Sequence, residues 1–310
     1  MKKIIIAGGN GFLGKILENY FSKKGYDIKI LSRKPKAKNH ILWNGKELGN
    51  WTKHLENTEA IINLAGRSVD CKYTEVNKKE IYNSRIDSTN ILGLAINLCE
   101  NPPKFWLNSS TSTIYQDSYT KEMTEENGDI GDDFSMNIAK SWEEAFITIT
   151  NPKTRKIVLR TSIVLGKNGG AFIPLKRLVK FGLGGKQGHG KQKVSWIHEL
   201  DFARAIDFLM SENQEGIFNI VSPKPTDNKT LMQTIRKVLK FPFGISQPKW
   251  LLKIGAKLIG TEAELVLKSR NVIPEKLLKN GFEFKYNTIN DAINSLNIKQ
   301  LYCHFFKLFL

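Results

Sequence analysis

The residues with the clearest chemical meaning in this chain are Gly8-Gly9-Asn10-Gly11-Phe12-Leu13-Gly14. Glycines at positions 8, 11 and 14 let a backbone turn tightly, approach a charged group closely and press a helix onto its neighbours. An apolar run, Lys3-Ile4-Ile5-Ile6-Ala7, comes before them, and the helix-forming Lys15-Ile16-Leu17-Glu18-Asn19 comes after. Strand, glycine turn and helix in that order aim free backbone N–H groups and the positive end of a helix dipole at an anion. A second apolar run, Ile28-Lys29-Ile30-Leu31, arrives about twenty residues after the first glycine, as a βαβ unit requires. The chemistry this spacing serves is the binding of a dinucleotide diphosphate.

The second strand ends in Ser32-Arg33-Lys34, where an NAD site places a carboxylate for the ribose 2′-hydroxyl. A hydroxyl and two cations suit a 2′-phosphate instead, because a guanidinium makes paired, charge-assisted bonds to phosphate oxygens. NADP is therefore expected ahead of NAD. The alternative for Arg33 and Lys34 is a solvated loop in a lysine-rich chain.

Strand and helix signals alternate through the first half of the chain, which predicts an α/β fold with a Rossmann-like, doubly wound parallel sheet. Ile41-Leu42-Trp43 and Ala60-Ile61-Ile62-Asn63-Leu64-Ala65-Gly66 read as the third and fourth strands, and a long helix follows from about Asn77 to Cys99. Lys104-Phe105-Trp106-Leu107-Asn108 and Lys156-Ile157-Val158-Leu159-Arg160-Thr161 read as the fifth and sixth. Between them, Asp132 or Asp133 caps a helix carrying Lys140, Trp142 and Glu143. Glycine-rich segments at 166–170 and 182–190 suggest the rim of a cleft, and after Lys229 short helices are broken by Pro242, Pro248 and Pro274. The expected division is a nucleotide-binding domain over 1–221 with a rim insertion at about 166–198, a small C-terminal cap over 222–297, and an unassigned apolar tail at 298–310.

Composition bounds the function. The formal net charge is +17, but its lysines are scattered and form no basic stripe interleaved with aromatics, so a nucleic-acid partner is not expected. Three distant cysteines give neither a disulfide framework nor a metal-binding spacing, which fits a reducing, cytoplasmic setting. No apolar run reaches the eighteen residues of a membrane span. The tail from Leu301 to Leu310 leaves docking, a homo-oligomer contact or a membrane surface open.

Asn63-Leu64-Ala65-Gly66, Trp142-Glu143, Leu159-Arg160-Thr161, Phe181-Gly182-Leu183-Gly184-Gly185, Trp196-Ile197-His198 and Phe218-Asn219-Ile220-Val221-Ser222-Pro223 extend the glycine signature. Together with Pro274-Glu275-Lys276-Leu277 and Gly281-Phe282-Glu283-Phe284, they make residues 1–297 resemble the extended short-chain dehydrogenase/reductases, and within them the atypical epimerase family of the SDR39U1 type. The resemblance implies a nicotinamide dinucleotide and a cap closing over its reactive end. The cofactor contacts expected are Gly8, Gly11, Phe12, Leu13 and Gly14 at the turn, Ser32, Arg33 and Lys34 after the second strand, and Asn63, Leu64, Ala65 and Gly66 after the fourth.

Dehydrogenases of this superfamily use a Tyr with a Lys four residues later, the Lys lowering the Tyr pKa for proton exchange. Here Met136 stands four before Lys140, and the neighbouring registers give Ser135 with Ala139 and Phe134 with Ile138. The chain's one such pair, Tyr20 with Lys24, lies on the helix after the glycine turn, on the wrong side of the sheet. Thr111 matches the superfamily's catalytic Ser/Thr position, and Tyr115 is a candidate substitute acid. His198 is open to either a cleft role or a structural one. Three readings follow: an NADP-dependent oxidoreductase or epimerase-like enzyme on a small molecule, a catalytically weak dinucleotide sensor or regulator, and, on net charge alone, a nucleic-acid binder.

Overall fold

The computed structural model describes residues 1–260 and 262–297. Its N-terminal part alternates strand and helix: β1 (Lys3–Ala7), α1 (Phe12–Lys23), β2 (Asp27–Ser32), β3 (His40–Leu42), β4 (Ala60–Asn63), α2 (Glu75–Asn97), β5 (Phe105–Thr111), α3 (Phe134–Ile147) and β6 (Arg155–Thr161). Next come β7 (Ile163–Gly166), β8 (Gly169–Gly170), α4 (Phe172–Lys180), β9 (Lys193–Val194), β10 (Trp196–His198), α5 (Glu199–Ser211) and β11 (Gly216–Ile220). The remainder is β12 (Thr226–Asp227), α6 (Asn228–Val238), α7 (Lys249–Ile259), α8 (Glu264–Leu267), α9 (Glu275–Lys279) and α10 (Ile289–Asn297). The expected tail at 298–310 lies outside the described residues.

Seven strands form one parallel sheet in the order β11-β6-β5-β4-β1-β2-β3. Parallel strands need crossover helices, which cover both faces and make the strands continuously apolar. Alternation inside β1 divides the core: Ile4 and Ile6 enter the cluster with Leu17, Phe21, Phe202 and Ile206. Ile5 and Ala7 enter the opposite cluster with Ile91, Leu92, Trp106 and Phe146. A third cluster joins α4, α6 and α10 through Phe172, Val179, Leu231, Ile235 and Ile293.

Several element boundaries differ from the sequence reading, the fifth strand running on to Thr111, and two of the differences have local reasons. The long helix begins at Glu75, two residues early, because the Thr74 hydroxyl accepts from Asn77 N at 3.3 Å and caps it. The fourth strand stops at Asn63, since the Asn63 Oδ1 accepts from Ala65 N at 3.0 Å and bends the chain. Of the two aspartates before α3, Asp133 is the cap, accepting from Met136 N at 3.0 Å.

Strand order reverses between β1 and β4, whose carboxyl ends lie side by side through the Ala7–Asn63 pairing. That reversal opens a crevice at the carboxyl edge of a parallel sheet, the place where such folds hold ligands. None of the described helices is long and apolar enough to cross a membrane.

Candidate functional site

The three glycines do different work. Gly8 has φ +72°, and a Cβ there would lie 2.8 Å from Ala65 Cα, so the turns after β1 and β4 touch backbone to backbone. A Cβ on Gly14 would meet the Gly9 carbonyl oxygen at 2.1 Å, which fixes how closely α1 seats on the turn. Gly11, by contrast, has an ordinary φ of −81° and nothing within 4 Å of where a Cβ would go. It is the N-cap of α1 and offers no side chain to the first N–H groups of that helix. Asn10 beside it has a buried Oδ1 without a donor. An open, uncapped helix terminus next to an unpartnered buried acceptor fits a bound dinucleotide diphosphate and its hydroxyls.

At the end of β2 the Ser32 hydroxyl is buried and fully used. It accepts from Asn10 Nδ2 and, at 3.1 Å, from Lys34 N, and donates to Lys34 O at 3.1 Å. Ser32 therefore shapes the turn, while Arg33 and Lys34 remain exposed beside it.

The turn after β4 divides in the same way. Asn63, expected to touch cofactor, is fully buried, its Nδ2 donating to Asn108 Oδ1 at 2.7 Å. The Thr89 hydroxyl donates to that same Asn108 oxygen at 3.4 Å and accepts from Trp142 Nε1 at 3.0 Å. The Asn63 side chain thus braces the turn that Leu64, Ala65 and Gly66 continue. The Phe12 ring packs on the β7–β8 hairpin, where a Cβ on Gly169 would lie 2.3 Å from Phe12 Cδ2, and Leu13 packs partly buried against the core.

A residue the sequence reading missed sits opposite Gly66. Arg85 on α2 is half-buried, stacks over the Trp142 ring at 5.0 Å, and donates through Nη1 to the carbonyls of Ile81 at 2.8 Å and Arg67 at 3.1 Å. A Cβ on Gly66 would be 3.3 Å from Arg85 Cζ. Burial pulls its pKa down to about 10, and among the described residues it has no carboxylate partner. Nothing in the sequence separates this arginine from the solvated cations of the same helix, since the distinction lies in Trp142 and Gly66 arriving from elsewhere.

The catalytic candidates fare differently. Thr111, at the carboxyl end of β5, is half-buried; its hydroxyl pairs with that of Thr113 and accepts from Thr113 N at 3.1 Å. The Tyr115 side chain is fully buried. Its hydroxyl donates to Asn219 Oδ1 at 3.0 Å and accepts from Arg160 Nη1 at 2.8 Å. Burial raises the phenol's pKa despite the lowering effect of Arg160, the wrong direction for an acid working near neutral pH. Arg160 in turn forks onto Glu143, with Nε–Oε1 2.9 Å and Nη2–Oε2 2.7 Å, and Ser110 donates to Glu143 Oε1 at 2.5 Å.

Met136 is buried on α3, and Lys140 points outward to Asp132 at 2.9 Å. The Tyr20–Lys24 pair is structural, both groups meeting Asp207 Oδ2, at 2.9 and 2.5 Å, between α1 and α5. His198 is structural too, capping α5 through Nδ1 to Leu200 N at 3.0 Å, with Nε2 3.0 Å from the Ser295 hydroxyl and its ring on Tyr286. Burial lowers its pKa to about 4. Because the unfolded imidazole protonates near 6.5, acid favours the unfolded chain, and stability present above that pH is lost as pH falls from about 6.5 to about 4, by on the order of 3 kcal/mol. A His198→Asn variant, which keeps a capping side chain, should lose that part of the acid slope in thermal midpoints measured between pH 7 and 4.5.

Comparison with known proteins places this geometry. The family model described as "NAD dependent epimerase/dehydratase family" matches residues 4–221. The chain belongs to that family. A second model, "Domain of unknown function (DUF1731)", matches residues 247–296 of this epimerase-family chain. Among curated relatives, the epimerase family protein SDR39U1 of Mus musculus is 29% identical over 299 residues, 95% of this chain and 99% of the relative. The epimerase family protein YfhF of Bacillus subtilis is 31% identical over 301 residues, 94% and 97%. The crystal structure of human SDR39U1 (isoform 2) with NADPH superposes with a TM-score of 0.86 at 29% identity, covering 95% of this chain and 98% of that one. A UDP-N-acetylglucosamine 4-epimerase from Bacillus cereus shares the fold, with a TM-score of 0.76 at 18% identity and 96% and 95% coverage.

Proposed function

We propose that this epimerase-family chain binds NADP(H) and acts as an oxidoreductase or epimerase-like protein on a small molecule, without the Tyr–Lys pair of its wider superfamily. The observation that carries the reading is the open, uncapped N-terminus of α1 at Gly11, flanked by the orphaned Asn10 Oδ1. The NADPH in the human relative's crystal structure supports it. Backbone N–H groups of Phe12, Leu13 and Gly14 would hold the diphosphate, with Arg85 supplying a fixed positive charge across the crevice. Arg33 and Lys34 would take the 2′-phosphate. The bound cofactor would supply hydride chemistry.

Preference for the phosphorylated cofactor is testable by fluorescence titration. Arg33→Ala should weaken NADPH by about tenfold, the value of one charge-assisted hydrogen bond, and leave NADH unchanged. Tighter binding of NADH by the parent chain would overturn the assignment.

Proton transfer is the weak link in catalysis. Met136 stands four residues before Lys140 and is buried, Lys140 is turned to Asp132, and Tyr115 is sealed inside. Thr111 is left as the hydroxyl able to orient a substrate oxygen at the carboxyl edge of β5. A missing acid/base costs about a hundredfold to ten-thousandfold in rate. Little NADPH consumption is therefore expected over a panel of simple carbonyls and sugar nucleotides, and what occurs should fall with Thr111→Ala. Robust turnover indifferent to that change would place the chemistry elsewhere. The second reading, a dinucleotide-binding sensor or regulator, draws its support from the same burial of Met136 and Tyr115.

A further inference from the structure

A separate cavity of about 570 Å³ lies between the 185–193 loop, one side of α6 and residues 244–246. No residue of the glycine turn, the β2 end or the β4 end lines it. Its walls carry Lys186, Lys191, Lys193, Lys229 and Arg236 against a single carboxylate, Asp227. That carboxylate is already spent as the α6 cap, accepting from Thr230 N at 2.8 Å and from the Thr230 hydroxyl at 2.9 Å. None of the five cationic side chains has an ion pair or hydrogen bond among the described residues.

The cavity is built rather than incidental. The Arg236 stem lies in a slot that two glycines leave free: a Cβ on Gly184 would be 2.9 Å from Arg236 Cδ, and one on Gly244 2.7 Å. Its Nε is sealed from solvent and has no acceptor. Along the loop, Gln192 turns the other way, donating to Gln187 O at 2.8 Å and Val266 O at 3.4 Å, while its neighbours Lys191 and Lys193 face the cavity. Gathering five like charges against one carboxylate is unfavourable unless a further counter-charge binds, and the size is that of a small-molecule site.

We infer that this cavity binds a small molecule bearing a di- or triphosphate group, at a site distinct from the dinucleotide crevice. A guanidinium held in a slot supplies a directional fork, and the lysines around it supply point charges, together more positive charge than one phosphate would neutralise.

The test is calorimetric titration of the full chain with inorganic tripolyphosphate, pyrophosphate and monophosphate. Tripolyphosphate and pyrophosphate should bind at least about tenfold more tightly than monophosphate, and saturating NADPH should leave their affinity unchanged. Lys186→Gln with Lys229→Gln, both exposed and so tolerated by the fold, should weaken tripolyphosphate by about tenfold or more. Lys23→Gln with Lys46→Gln removes the same charge elsewhere and should change nothing. Arg236→Lys, keeping the charge and losing the fork, should weaken binding severalfold. Absence of binding at millimolar ligand, competition by NADPH, or equal weakening by the two lysine pairs would each overturn the inference.

Discussion

Gly11→Val should lower NADPH affinity by about a hundredfold or more while leaving the thermal midpoint nearly unchanged. The two halves of that outcome come from one fact. Gly11 has a φ that any residue adopts, and no atom lies within 4 Å of a Cβ placed there, so the free protein accommodates valine. The same empty volume is where a diphosphate must approach the first N–H groups of α1, and a branched side chain would hold it off. Losing one or two charge-assisted hydrogen bonds, at about 1.5–3 kcal/mol each, gives the stated fall. Gly14 would not discriminate, because its Cβ would strike the Gly9 carbonyl and disturb the fold directly. Paired calorimetry and thermal melts on Gly11→Val make the check; a stable variant with parental affinity would mean that the turn holds something other than a diphosphate.

The largest expected effect on stability is at Arg160. Arg160→Met should destabilise the chain by about 3–5 kcal/mol, because it strands a buried carboxylate. Glu143 would keep only the Ser110 hydroxyl, and the Tyr115 hydroxyl would lose its donor. The pair is buried on both sides, with side chains 7% exposed, so solvent cannot replace the lost partner. Burial alone would lower the Arg160 pKa, but Glu143's bonds and charge raise it, which keeps the guanidinium charged. Replacing both partners, Arg160→Met with Glu143→Leu, should recover much of the loss, since desolvating the two charges offsets their attraction. Urea midpoints of the three proteins decide it. A single variant within about 1 kcal/mol of the parent, or a double variant no better than the single, would show that the network is not the support described here.

That network shows what the sequence does not about Tyr115. Its position after a Ser/Thr run at the end of β5 reads as a ligand-facing phenol, and the residues bonded to its hydroxyl come from β6 and β11, the latter 104 positions away. Arg85 shows the converse case. In the sequence it is one cation among the chain's 47 lysines and arginines; in the fold it stands over Trp142 without a carboxylate partner. Of the two glycine-rich segments, one packs on Phe12 and the other lines the cationic cavity.

What the sequence determined by itself is what depends on neighbouring residues. The continuous apolar strands, the glycine turn, the cap at Asp133 and the cations after Ser32 are set by backbone sterics, periodicity and local hydrogen bonds, and they place the crevice at the strand-order reversal. Tertiary structure alone decided which polar groups face a ligand. Asn63, Ser32, Tyr115 and His198 all carry chemistry in principle, and each meets a partner brought from another segment, Ser32 also being tied to its own turn. Arg85 and Arg236 are left with donors to spare. The reason is physical: burial makes an unmet hydrogen bond costly, so the fold draws most of its buried polar side chains into bonds with one another.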